Sequence, residues 1–112
     1  MATMLILRGI AGNYGGRDWP RGALDEPSAL EYARRKGYDG KVLDVAGATG
    51  PNSAQTKMAL AEFHRDQTVT ALYGFSGGGY NVLHIIRLVY RLDPPGGHMD
   101  GPRALLHTLD HD

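Results

Sequence analysis

The stretch Thr68-Val69-Thr70-Ala71-Leu72-Tyr73-Gly74-Phe75-Ser76-Gly77-Gly78-Gly79 decides how the rest of the chain is read. Its first six residues are β-branched or apolar, the composition of a buried strand. Glycines interrupt that pattern, and Val82, Leu83, Ile86, Val89 and Tyr90 then recur at three- and four-residue spacing, the period of a helix. A strand therefore passes through a glycine-rich turn into a helix. The turn itself, Gly74-Phe75-Ser76-Gly77-Gly78, fits the pattern G-x-S-x-G. Glycines two before and two after the serine let strand and helix pass close together without a side-chain clash. The serine hydroxyl then stands clear of the sheet at a helix N-terminus, beside free N–H groups and the positive end of the dipole.

Working outward, the same alternation of strand and helix appears twice upstream. Met4-Leu5-Ile6-Leu7 is apolar on both sides of a pleat, as in a central parallel strand, and runs into the glycine-rich Gly9–Gly16. Asp25-Glu26-Pro27-Ser28 marks a helix start, with Ser28 and Glu31 as a capping box. Ala29, Leu30 and Ala33 form its inward stripe, and Arg34, Arg35 and Lys36 before Gly37 mark its end. Lys41–Ala46 reads as a second strand, closed by Gly47-Ala48-Thr49-Gly50-Pro51. Asn52 or Ser53 caps the next helix, whose Leu60 and Phe63 face inward and whose His64 and Arg65 suit its carbonyl end.

Downstream, Leu88–Leu92 fits equally the last turns of the third helix or a fourth strand. Asp93-Pro94-Pro95 ends either one, since the residue before a proline is driven out of the helical region. Pro102 suits the first turn of a final short helix carrying Leu105, Leu106 and Leu109. His107 and His111 would share a face of that helix, but no third ligand accompanies them. The fold class follows: a single α/β domain over residues 1–112, a three-layer sandwich. Its short, mostly parallel sheet has three or four strands, the first three in order 2-1-3, with helices on both faces.

Composition narrows the function. Lys+Arg and Asp+Glu number 12 each, so no net charge attracts nucleic acid or an anionic membrane. Cysteine is absent, which excludes thiolate nucleophiles and Cys-based zinc sites. The opening Met-Ala-Thr-Met-Leu-Ile-Leu-Arg lacks a basic n-region, and no apolar run reaches membrane-spanning length, so a cytoplasmic protein is expected.

The elbow Ala71–Gly79 resembles the nucleophile elbow of the α/β-hydrolase superfamily, with Ser76 in the nucleophile position. Gly96-Gly97-His98-Met99-Asp100-Gly101-Pro102 resembles that family's histidine loop, and Gly9-Ile10-Ala11-Gly12 occupies the place of its oxyanion loop. The likeness runs loosely from Met4 to Leu109 and is to a reduced core, since only 22 positions separate Ser76 from His98. It implies a serine hydrolase acting on a carboxylic ester or thioester, a small-molecule acyl substrate, with no cofactor and no metal. Ser76 would be the nucleophile and His98 the base, with Asp93 the best-placed acid and Asp100 the next. The N–H groups of Gly77 and of Ile10 or Ala11 would bind the oxyanion.

Two other readings stand beside it. One is a non-catalytic domain of the same fold that binds or self-associates, the glycines serving only to pack strand on helix. Open sheet edges and an apolar third helix favour a homodimer, in which an exchanged C-terminal segment could carry His98 to the neighbour's Ser76. The other is nucleotide or phosphate binding at the Gly47–Gly50 turn, which lies between a strand and a helix N-terminus. His84, inside the third helix, is read as a packing residue.

Overall fold

The computed structural model describes residues 1–9, 26–45, 48–75, 77–90 and 104–108. Strands β1 (Thr3–Leu7), β2 (Asp39–Val42), β3 (Val69–Phe75) and β4 (Ala104–Thr108) form one sheet in the order β2-β1-β3-β4. Helices α1 (Glu26–Arg35), α2 (Ala54–Arg65) and α3 (Gly77–Tyr90) link them. β2 and β3 both pair parallel to β1, which gives the 2-1-3 order and puts Met4–Leu7 in the middle. The chain steps from β1 to one side and then back across to the other. Crossovers of one hand must therefore place their helices on opposite faces.

The two cores follow from the pleat of β1, whose residues Met4 to Leu7 are all fully buried. Met4 and Ile6 join Ala71, Tyr73, Ala29 and Ala33 under α1. Leu5 and Leu7 join Leu72, Phe63, Val82, Ile85 and Ile86 under α2 and α3. Val69 lies in this second core with Leu72, three residues on, because the β1–β3 register shifts between Thr3 and Met4. That irregularity turns Val69 to the face that strict alternation would deny it.

Local chemistry ends the helices where the sequence indicates, with one exception. Gly37 adopts φ +88° and closes α1 in a Schellman arrangement: Gly37 N donates to Arg34 O at 3.0 Å, and Tyr38 N to Ala33 O at 2.9 Å. Ser53 caps α2, its hydroxyl accepting from Thr56 N at 3.3 Å. Ser28 does not stand at the helix start that a capping box requires. Helix α1 already runs from Glu26, with Pro27 in its first turn where no N–H donor is needed. Glu31 instead receives the Arg34 guanidinium, Nε to Oε2 at 2.8 Å.

Three strand or helix limits also differ from the sequence reading. β2 begins at Asp39 and stops at Val42, because Val45 N bonds back to Leu43 O and turns the chain. Residues 88–90 are helical, so Leu88 opens no strand. The segment expected to form a last helix is β4, antiparallel to β3, with Phe75 opposite Ala104 and Ala71 opposite Thr108. A five-residue helix is marginal alone, whereas pairing here satisfies the otherwise open edge of β3. His107 therefore lies on a strand, without a helical face to share with position 111.

The closest packing is backbone on backbone. A Cβ on Gly74 would overlap the Gly78 carbonyl and lie 2.9 Å from Gly79 N. One on Gly78 would overlap Leu7 O and lie 2.7 Å from Arg8 O. Gly78→Ala should destabilise the fold by about 3 kcal/mol or more, because rigid backbone cannot yield to the methyl group. Gly37→Ala, which faces strain in φ alone, should cost only about 1 kcal/mol. Urea unfolding of both variants checks the order, and a milder effect at Gly78 than at Gly37 would contradict the contact.

Candidate functional site

β1 and β3 are neighbours, yet the chain leaves them toward opposite faces: after β1 it reaches α1, after β3 it enters α3. The carboxyl ends of two such strands form the topological switch point of an open α/β sheet, where ligands bind. Here those ends are Leu7-Arg8-Gly9 and Gly74-Phe75, with Leu7 paired to Gly74. β3 stops at Phe75 and α3 starts at Gly77, so position 76 alone joins them. Gly77 is buried as the first residue of α3. Ser76, His98, Asp93, Asp100, Ile10 and Ala11 lie outside the described residues. Of the expected site, the structure thus describes Gly77 and the glycine packing around position 76.

Beside this edge lies a polar cluster that the sequence reading missed. Gln55, Thr56 and Asn81 are all fully buried. Asn81 Nδ2 donates to Gln55 Oε1 at 2.8 Å and to Ala48 O at 2.9 Å, while its Oδ1 accepts from Gly50 N at 3.0 Å. Gln55 Nε2 donates to Arg8 O at 2.9 Å and to Val45 O at 3.3 Å. Thr56 Oγ1 donates to Gly50 O at 2.7 Å. Three side chains thus fasten the end of β1, the segment after β2, and the first turns of α2 and α3. A signal was present: Asn81 shares the helical face of Val82, Ile85 and Ile86, an inward position for a residue of poor helix propensity.

Of the Gly47–Gly50 stretch, Gly47 lies outside the described residues, and Ala48 and Gly50 are held by the same cluster. Gly50 N is held by Asn81 and Gly50 O by Thr56, while the α2 N-terminus is capped by Ser53. No group of three or more His, Cys, Asp or Glu suited to a metal occurs among the described residues. Nor is any described helix long and apolar enough to cross a membrane. Comparison with protein-family models, curated proteins and solved structures finds no match to this chain.

His84 sits on the half-buried flank of α3, with Nδ1 3.3 Å from Arg87 Nη1. Burial, and secondarily the Arg87 charge, hold its pKa below the ordinary value. The unfolded chain then binds more protons in the window between the folded pKa and about 6.5, so stability falls as pH drops through it. His84→Gln should lessen this loss. Urea midpoints for both proteins between pH 7.5 and 5.5 should diverge in favour of the variant, and parallel curves would show that His84 contributes nothing.

Proposed function

We propose that the chain is a serine hydrolase of the α/β-hydrolase type, acting on a carboxylic ester or thioester. The observation that carries this reading is the Gly74–Gly78 backbone contact, which leaves the single position Ser76 between β3 and α3 at the switch point. Glycine pairs of this kind are what a nucleophile elbow requires. The 2-1-3 order adds support, since it sets the end of β1 beside that position, where an oxyanion loop is needed. β4 starts at Ala104 opposite Phe75, which tethers His98 six residues from that edge, within about 20 Å of extended chain.

In this mechanism Ser76 Oγ attacks the acyl carbonyl while His98 takes its proton. The oxyanion accepts from Gly77 N–H and from Ile10 or Ala11 N–H. The C–O or C–S bond then breaks, and His98 returns the proton to the leaving alcohol or thiol. Water, deprotonated by His98, releases the acid and frees Ser76. Asp93 holds the imidazole in the required tautomer. The Gly50 turn offers less to a phosphate, because its N–H and carbonyl are already committed to Asn81 and Thr56.

Intact mass after exposure to a fluorophosphonate probe tests the reading. Wild type should gain one adduct on Ser76, Ser76→Ala none, and His98→Ala should label at least about 100-fold more slowly, the usual loss with a general base. A folded wild-type protein that stays unlabelled would instead favour the non-catalytic, self-associating domain. One observation favours self-association in its own right: Leu88 and Tyr90 are 44% and 42% exposed near the end of α3. Light scattering should give twice the chain mass for wild type and a monomer for Leu88→Glu. A monomeric wild type would remove the dimer.

A further inference from the structure

We propose that the buried Gln55–Asn81 carboxamide pair is a positioning device that fixes the first turn of α3 against the end of β1, and so aims the Gly77 N–H. This rests on the hydrolase reading above. The contacts form a closed circuit. Gly78 packs on the Leu7 and Arg8 carbonyls, Arg8 O accepts from Gln55 Nε2, and Gln55 Oε1 accepts from Asn81 Nδ2. Asn81 lies one helical turn beyond Gly77 and so brings the circuit back to α3.

Each member is short or rigid. Gly78 contributes backbone alone, and both carboxamides are fully buried. Asn81 is further pinned by Gly50 N and Ala48 O, so the roll of the first turn of α3 is set from outside the helix. A donor at a helix start is useful to an oxyanion only if it points at the place where charge develops, and small misplacement is costly. Thr56 supplies an internal comparison. It is equally buried and bonds the same turn, but through Gly50 O, and it takes no part in the circuit.

The experiment measures fluorophosphonate labelling of folded protein, separating the limiting rate kinact from the binding constant KI, with circular dichroism recording the folded fraction. Gln55→Met, which keeps volume and loses the donor, should lower kinact about 100-fold with KI unchanged, as loss of an oriented oxyanion donor does. The pH midpoint of kinact should stay fixed while its plateau falls, because the base is untouched. Thr56→Val should lower the melting temperature without changing kinact.

If Gln55→Met does not fold, Asn81→Ser decides. It removes the anchor of Gln55 Oε1 but leaves the bond to Arg8 O, and it should lower kinact about 10-fold, a partial form of the same misplacement. A variant with a lowered melting temperature and wild-type kinact would overturn the positioning role while leaving the hydrolase reading intact. A wild-type protein with no Ser76 adduct would overturn both.

Discussion

The first turn of α3 rests on the end of β1 with no side chain between them, and most of the architecture depends on that contact. Gly78 lies against the Leu7 and Arg8 carbonyls, and Gly74 lies under the Gly78 carbonyl. A helix that close to the sheet can start immediately after its strand, which is why one position separates β3 from α3. It also sets where the rest of α3 lies. Val82, Ile85 and Ile86 then fall onto Leu5, Leu7 and Leu72 in the core shared with α2. With a methyl group at residue 78 the helix would have to lift, and that layer would lose its van der Waals contact.

Close backbone approach creates a second requirement. Arg8, Val45 and Ala48 present carbonyls beyond the ends of β1 and β2, where they accept from side chains. Backbone acceptors beyond the strand ends take their donors from side chains where these are in reach. Gln55 and Asn81 supply them from two helices and complete one another through a shared bond. A buried amide is tolerated when its polar atoms are satisfied, and a satisfied network favours one arrangement over its neighbours. The polar cluster is therefore a consequence of the glycine contact as well as a brace for it.

What could be read in the sequence was what short-range chemistry decides. Gly37 closing α1 and Ser53 capping α2 are local events, visible from a few residues. The central place of Met4–Leu7 was legible because burial on both faces writes a continuous apolar run. Part of the glycine spacing around Ser76 was legible because Gly74 answers a clash within the motif itself, with the Gly78 carbonyl, whereas the contact of Gly78 is with the distant Leu7 and Arg8 carbonyls. β4 was not. Ala104–Thr108 has no strand signature of its own, and its conformation comes from the free edge of β3, some thirty residues away. Gln55 was likewise hidden, because the direction it faces is set only when α2 meets α3 and the sheet, whereas Asn81 carried a signal in its place on the face of Val82, Ile85 and Ile86.

The arrangement of these parts bears on how the strand ends at the switch point are held. A crevice between loops leaving toward opposite faces has no regular structure across it, so the strand ends that flank it would ordinarily be the softest part of the sheet. Here they are held by two unlike devices that converge on one atom. The Arg8 carbonyl meets the Gly78 backbone from α3 and the Gln55 amide from α2. Packing alone would fix distance but leave the carbonyl free to tilt, and a hydrogen bond alone would fix direction at a looser separation. Together they define both, which is the property a site built from backbone N–H groups requires, since such groups cannot be re-aimed by changing a rotamer.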